Sequence, residues 1–173
     1  MYPPKKIIKR LNFIFMRKIA VLFVCLGNIC RSPMAEGIFN TIIARDGLDH
    51  RFEVDSAGLL NFHQGEMADS RMRLHAAQRG YSLDTRSRQI LKSDLDRFDL
   101  ILVMDEQNYE GLHRMAVVPS QFAKIHRMTD YCVNVQATHV PDPYYGGDQG
   151  FENVIDLLED TCEGLLAELK KLL

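Results

Sequence analysis

A run of six apolar residues, 19–24, stands directly before a short loop and a segment with helical spacing. Apolar runs without alternation are typical of strands buried on both faces of a parallel sheet. In the segment 33–45, Met34, Ile38 and Ile42 recur on one helix face, and Pro33 suits the first turn. A buried strand, a short loop and a helix in this order favour folds in which helices cover a parallel sheet.

The rest of the chain alternates in the same way. Further strands are predicted at 52–56, 100–104 and 124–128. Further helices are predicted at 69–79, 93–98, 108–116 and 148–172. This alternation predicts an α/β domain with a parallel sheet and helices on both faces. Ligands of such sheets bind at the carboxyl ends of the strands, which is where the loop after residue 24 lies.

The composition fits one domain with a proper core and excludes several classes of protein. The chain has 173 residues, 46% of them hydrophobic, and its net charge of −2 gives no reason to expect a nucleic-acid partner. No apolar stretch of the sequence is long enough for a membrane span. Four cysteines are too few for a disulfide scaffold, so we expect a reducing, cytoplasmic location.

The first 17 residues differ from the rest. Basic residues surround a short apolar patch at 11–15, which is too short for a secretory signal and has no cleavage site after it. We expect 1–17 to form a basic extension, disordered or loosely packed, and 18–173 to form a single domain. A start of translation at Met16 and a basic surface anchor are alternatives.

The loop at 25–32 has the composition of a phosphate cradle. It reads Cys25-Leu26-Gly27-Asn28-Ile29-Cys30-Arg31-Ser32. The backbone N–H groups of such a loop can turn inward around an anion, and the following helix adds the positive end of its dipole. Gly27 and Asn28 suit positive φ angles, and the Arg31 guanidinium can hold two phosphate oxygens. We therefore predict that residues 26–31 bind phosphate.

Cys25 is the predicted nucleophile of this loop. A thiol beside a cation and a helix N-terminus favours the reactive thiolate form. Ser32 can donate a hydrogen bond to that thiolate, while Asn28 and Ser56 can fix the loop. Two other interpretations stay open: Cys25 as a small buried core residue, and Cys25 with Cys30 as half of a zinc site.

Breaking a phosphate ester also requires a proton for the leaving oxygen, and Asp142 is the predicted donor. It lies between two prolines in a loop, where nearby rings favour the protonated acid. Tyr144 and Tyr145 can form walls for a flat phenyl group, and that depth suits phosphotyrosine better than phosphoserine. The alternative for this segment is an ordinary turn.

Residues 24–36, which read VCLGNICRSPMAE, resemble the signature of the low-molecular-weight protein tyrosine phosphatases. The resemblance runs from about Lys18 to the C-terminus, with further matches at 55–58, 104–105 and 142–145. It implies a doubly wound four-stranded parallel sheet of order 2-1-3-4 with helices on both faces.

The resemblance also implies roles for particular residues. Leu26, Phe62 and Tyr144 line the substrate slot, and His75 supports the phosphate loop. Cys30 forms a reversible disulfide with Cys25 under oxidation. His63 and Arg71 are expected near the mouth of the site as surface residues.

Together these features predict a protein-tyrosine-phosphatase that forms a phosphocysteine on Cys25. Arg31 and the loop amides stabilise the phosphoryl oxygens, and Asp142 acts first as acid and then as base. Because the loop supplies the positive charge, we expect no cofactor and no metal. The expected partners are a phosphotyrosine protein, such as a tyrosine kinase, and inorganic phosphate as product or competitive inhibitor.

Three other functions are weighed against this prediction. A thiol-coupled arsenate reductase shares the Cys-x5-Arg loop but needs further cysteines near 100–112, where this sequence has none. A protein arginine phosphatase resembles the chain but has threonine at the position of Ile29. An inactive phosphate-binding module typically lacks the cysteine, the arginine or the acid, and here all three are present.

Overall fold

The computed structural model describes residues 17–173. Apart from Arg17, the basic extension expected at 1–17 lies outside the described residues. Arg17 pairs with the Asp99 carboxylate, which also accepts the Ala20 backbone N–H at 2.8 Å. These contacts fix the beginning of the described chain beside the sheet.

Within this range, four strands form one parallel sheet. They are β1 Ile19–Cys25, β2 Phe52–Gly58, β3 Leu100–Val103 and β4 Ile125–Arg127. Their order is β2-β1-β3-β4, and each neighbouring pair is parallel. This confirms the predicted α/β fold and the order 2-1-3-4. The apolar run that opens the domain is therefore a central strand.

The connections between the strands carry helices. These are α1 Arg31–Arg45, α2 Ser70–Gln78, α3 Asp94–Arg97, α4 Glu106–Met115, α5 Pro119–Phe122 and α6 Gly147–Lys170. Short 3-10 turns occupy Asp49–Arg51, Met128–Tyr131 and Pro143–Tyr145. Among residues 17–173, none of these helices has the length and apolar content that crossing a bilayer requires.

The two faces of the sheet form separate cores. Val21 and Phe23 of β1 pack in the core that α1 and α6 cover. Leu22 and Val24, which point the opposite way, pack in the core on the α3 and α4 side. Alternate residues of a strand face opposite sides. Burial of both sides thus explains why 19–24 is apolar without interruption.

Helix α1 and strand β2 both extend farther along the chain toward the loop at 25–32 than the sequence predicted. Helix α1 begins at Arg31 instead of residue 33, because the Cys30 carbonyl already accepts the Met34 N–H at 3.2 Å. Strand β2 continues to Gly58 instead of residue 56, because Gly58 pairs with Cys25. The Leu59 N–H then donates to the Cys25 carbonyl at 3.0 Å. The loop is therefore flanked by β2 and its continuation.

Gly58 is where β2 comes closest to the loop. A Cβ at this position would lie 2.9 Å from the Gly27 carbonyl carbon and 3.0 Å from the Asn28 nitrogen. Both atoms belong to the backbone and cannot rotate away. The absence of a side chain at residue 58 thus allows the loop to pack directly on the end of β2.

We predict that Gly58→Ala displaces the loop. The steric conflict should lower the free energy of unfolding by about 1–3 kcal/mol and reduce turnover. Gly150→Ala is the matched control, since a Cβ there meets its nearest atom at an ordinary 3.8 Å. Denaturant unfolding and steady-state kinetics of both variants check the prediction. Equal stability and activity of Gly58→Ala and the wild type would contradict it.

Candidate active site

The loop between β1 and α1 is held from inside by the Asn28 side chain. Asn28 has φ +55°, in the left-handed region that the sequence predicted for it, whereas Gly27, for which the sequence predicted the same, does not have a positive φ. Asn28 is only 2% exposed. Its Nδ2 donates to Ser32 Oγ at 2.8 Å and to Ser56 Oγ at 3.0 Å, and its Oδ1 accepts the Arg88 backbone N–H at 2.9 Å. One amide therefore joins the loop to α1, to β2 and to the chain after α2.

A buried carboxylate stands behind this amide. Ser56 Oγ donates to Glu36 Oε2 at 2.5 Å, and Thr85 Oγ1 donates to the same oxygen at 3.1 Å. Glu36 is 4% exposed, and burial raises the pKa of its carboxyl, although the two hydroxyl donors act in the opposite direction. The resulting chain of hydrogen bonds runs from Glu36 through Ser56 and Asn28 to Ser32.

This chain ends at the Cys25 sulfur. Cys25 Sγ lies 3.0 Å from Ser32 Oγ, and Cys25 is buried at the end of β1. Because Asn28 donates to Ser32 Oγ, the Ser32 hydroxyl proton can point to the sulfur; its other acceptor, the Ala57 carbonyl, is farther away at 3.4 Å. The geometry supports the predicted hydrogen bond from Ser32 to a Cys25 thiolate.

Arg31 brings a buried positive charge to the opposite side of the loop. Its Nη1 donates to Asp105 Oδ2 at 2.5 Å and to the Val140 carbonyl at 3.2 Å, and its Nη2 donates to Asp142 Oδ2 at 3.3 Å. Burial acts to lower the pKa of Arg31, but the charge of Cys25 and the bond to Asp105 raise it overall. The guanidinium therefore stays charged although it is 3% exposed.

Asp142 lies at the rim of the site. Its Oδ1 accepts the Tyr144 N–H at 3.1 Å, so the carboxylate caps the 3-10 turn 143–145. The side chain remains 44% exposed. A carboxyl group in this place can exchange protons with solvent and still reach a group bound over Arg31.

Cys25, Arg31 and Asp142 line one cavity of about 320 Å³. The predicted wall residues Leu26, Phe62, Tyr144 and Tyr145 line the same cavity. Phe62 and Tyr145 are 77% and 92% exposed, so they form the outer rim. The structure thus brings the three predicted chemical groups and the four predicted wall residues together.

The predicted phosphate-binding residues divide into two groups. Gly27, Ile29 and Cys30 line the cavity together with Leu26 and Arg31. The Asn28 side chain instead makes the interior bonds described above, so only its backbone N–H is left for an anion. Two further hydrogen bonds hold the loop backbone in place. Ser87 Oγ donates to the Gly27 carbonyl at 3.1 Å, and the Asp69 N–H donates to the Ile29 carbonyl at 2.8 Å.

His75 and Cys30 have the surroundings of buried residues. His75 is hydrogen-bonded to Glu152 at 2.5 Å and stacks on Phe151 with ring centroids 5.6 Å apart. Both partners belong to α6, so within the described part of the chain His75 makes no direct hydrogen bond to the loop and ties α2 to α6 instead. Cys30 is 4% exposed, and burial raises the pKa of its thiol, with nearby Asp69 adding to the effect.

Sequence reasoning assigned no role to Glu36, Asp105 or Thr85. Asp105 orients Arg31 and also caps α4 by accepting the Asn108 N–H at 2.8 Å. An acidic residue directly after a central strand was the available signal, since that position lies at the binding edge of the sheet. The zinc interpretation has no support in residues 17–173, where no three potential ligands converge.

The site and the fold together bring a cysteine, an arginine and an aspartate into one cavity at the carboxyl end of a parallel α/β sheet. The model of the family described as low molecular weight phosphotyrosine protein phosphatase matches residues 20–172. The chain belongs to this family.

Individual relatives cover nearly the whole chain. The low molecular weight protein-tyrosine-phosphatase YfkJ of Bacillus subtilis is 43% identical over 154 residues, 88% of this chain and 97% of the relative. The crystal structure of a protein tyrosine phosphatase from Entamoeba histolytica superposes with a TM-score of 0.87 at 45% identity, over 89% of this chain and 98% of that one. A Drosophila arginine phosphatase superposes with a TM-score of 0.81 at 34% identity, over 87% of this chain and 97% of that one.

We predict that Glu36 makes stability depend on pH. Since burial raises its pKa in the folded state, the folded protein binds this proton more tightly than the unfolded chain. Its contribution to the free energy of unfolding is greatest below the ordinary value of 4.5 and is lost as the pH rises through the raised value. The difference in free energy between wild type and Glu36→Gln should therefore fall with pH, by at most about 1.4 kcal/mol per unit.

Denaturant unfolding of the wild type and of Glu36→Gln, at pH values from below 4.5 upward, measures the difference in their free energies of unfolding. Glu110→Gln is the control for the substitution itself, because Glu110 is 62% exposed on α4. A flat or rising difference for Glu36→Gln would show that its proton is not held more tightly in the folded state.

Proposed function

We propose that this chain hydrolyses phosphotyrosine in proteins, with Cys25 as nucleophile, Arg31 as phosphate ligand and Asp142 as general acid and base. The observation that carries the proposal is the convergence of these three side chains on one cavity at the carboxyl end of the sheet. The known family of the chain agrees with it.

In the first step, the phosphoryl group occupies the loop with its oxygens toward the backbone N–H groups and Arg31. The Cys25 thiolate attacks phosphorus, so an S–P bond forms while the P–O bond to the phenol breaks. Asp142 gives its proton to the departing oxygen. Ser32 stabilises the thiolate before attack, and Arg31 stabilises the charge on the phosphoryl oxygens during transfer.

In the second step, the carboxylate of Asp142 takes a proton from water. The water oxygen attacks phosphorus, the S–P bond breaks, and the thiolate of Cys25 returns with inorganic phosphate as product. Phosphate fits the same loop and is therefore an expected competitive inhibitor. The positive charge for both steps comes from the loop and Arg31, so the scheme uses no metal or cofactor.

The shape of the cavity favours a phenyl ring. Phe62 and Tyr145 form the exposed rim of the cavity that Cys25 also lines. A phenyl ring carries its phosphate farther from the peptide backbone than a seryl side chain does, so we expect phosphotyrosine to reach Cys25 more easily than phosphoserine. The apolar side chain of Ile29 lines the cavity and offers no hydrogen bond to a guanidinium leaving group. These features favour phosphotyrosine over phosphoserine and phosphoarginine, and a comparison of the three phosphopeptides tests that order.

The physiological substrate is proposed as a phosphotyrosine protein, such as an autophosphorylated tyrosine kinase. A reducing cytoplasm suits the chain, since its four cysteines carry free thiols and Cys25 acts as a thiolate. Residues 18–173 are proposed to carry the whole activity as one domain. They include each side chain to which the scheme assigns a role.

We predict that Asp142→Ala slows the enzyme most with poor leaving groups. The value of kcat/KM should fall about 100-fold or more for phenyl phosphate, because its phenolate needs the proton, and much less for p-nitrophenyl phosphate. Cys25→Ser should abolish turnover of both. Equal losses on the two substrates, or activity in Cys25→Ser, would refute the assignments.

We also propose that Cys30 protects Cys25 from peroxide. Peroxide oxidises the Cys25 thiolate to a sulfenic acid, and the Cys30 thiol then displaces water to form a disulfide, giving two waters in total. After mild peroxide, wild type should regain activity with dithiothreitol, whereas Cys30→Ser should not. Mass spectrometry that finds sulfinic acid at Cys25 and no Cys25–Cys30 link in wild type would end the proposal.

A further inference from the structure

Arg71 makes an unusual set of contacts beside the acid turn. It is the second residue of α2, and its guanidinium donates to both carboxylate oxygens of Asp69 at 3.0 and 2.9 Å. Its Nη1 also donates to the Tyr144 carbonyl at 3.1 Å. The guanidinium carbon lies 5.0 Å from the ring centroids of both Tyr144 and Phe151. A planar cation is thus held by a carboxylate, a carbonyl and two aromatic faces.

Asp69 connects this cation to the phosphate loop. The Asp69 N–H donates to the Ile29 carbonyl at 2.8 Å, within the loop itself. The Asp69 carboxylate also caps α2 by accepting the Arg71 N–H at 2.9 Å. The pKa of Asp69 is lowered by the bond from Arg71, so the carboxylate stays ionised and the pair stays intact near neutral pH.

The Tyr144 carbonyl connects the cation to Asp142. Both residues belong to one short turn, in which Asp142 Oδ1 accepts the Tyr144 N–H. The chain after the turn passes through two glycines, Gly146 and Gly147, the second with φ +65°. The contact from Arg71 therefore holds this turn from the side of α2, in addition to the cap that Asp142 itself provides.

We propose that Arg71 is a positioning residue that sets the place of the Asp142 carboxyl above the phosphate loop. The path runs from Ile29 through Asp69 and Arg71 to Tyr144 and Asp142. Arg71 is not among the side chains that line the described cavity, so it acts through the turn and not on the substrate. This inference rests on the proposed role of Asp142 as general acid.

Loss of the guanidinium should therefore damage proton transfer more than binding. A misplaced acid lowers the rate of the step that needs it, and small displacements suffice. For Arg71→Met we expect kcat/KM to fall about tenfold with phenyl phosphate and about twofold or less with p-nitrophenyl phosphate. Arg71→Lys retains the charge but loses the fork, and it should lie between Arg71→Met and the wild type.

The decisive experiment is a double-mutant cycle with Asp142→Ala, measured with both substrates. If Arg71 acts through Asp142, Arg71→Met should slow phenyl phosphate hydrolysis by about twofold or less in the Asp142→Ala background. If the losses of Arg71→Met and Asp142→Ala multiply in the double variant, the inference is overturned. It is also overturned if Arg71→Met slows the hydrolysis of both substrates equally. Arg73→Met is the matched control: Arg73 lies on the same helix, is exposed and donates to the Ala68 carbonyl at 3.0 Å.

Two further outcomes have a definite meaning. If Asp142→Ala shows no excess loss on phenyl phosphate, the proposed role of Asp142 fails, and the positioning role falls with it. If Asp142→Ala behaves as expected but Arg71→Met and Arg73→Met are both like wild type, only the role of Arg71 fails. Should Arg71→Met not fold, Arg71→Lys takes its place in the cycle, with the same opposing outcomes.

Discussion

The arrangement of the site depends on the hydrogen bonds of one buried amide, that of Asn28. The Asn28 backbone takes the left-handed conformation at the turn of the loop. Its side-chain amide is hydrogen-bonded to Ser32, to Ser56 and to the backbone of Arg88. Loss of one of these hydrogen-bond partners would lower the free energy of unfolding by about 1–3 kcal/mol, so the loop has a strongly preferred shape. That shape places the Ser32 hydroxyl beside Cys25.

Electrostatics gives this fixed loop its chemical character. The buried guanidinium of Arg31 lines the same cavity as Cys25 and is oriented by Asp105 at 2.5 Å. Asp142 approaches the same guanidinium at a longer 3.3 Å and keeps access to solvent. Asp105 thus fixes the guanidinium of Arg31, while Asp142 remains accessible to solvent. The proposed roles of the two carboxylates follow from this difference in exposure and partners.

Local patterns in the sequence predicted the strand, the loop and the helix that follows, because each depends on residues close in the chain, although this helix begins two residues earlier than predicted. The positive φ of Asn28 and the nearness of Cys25 to Ser32 belong to this class. The sheet order was predicted from the resemblance that the signature at 24–36 carries. The pairing of Arg31 with Asp105 and the bond from Ser56 to Glu36 join distant segments, so only the folded packing reveals them. Arg71 was expected as a surface residue for the same reason: its partners Tyr144 and Phe151 lie more than seventy positions further along the chain.

Covalent catalysis by Cys25 is the central step of the proposed mechanism, and trapping the phosphocysteine intermediate tests this step. Wild-type protein is mixed with p-nitrophenyl phosphate, quenched within milliseconds and mapped by peptide mass spectrometry. We expect one phosphoryl group on the peptide that contains Cys25, located on that sulfur, and none in Cys25→Ser. A phosphoryl group on Cys30 or on a serine, or hydrolysis by Cys25→Ser at the wild-type rate, would contradict this mechanism.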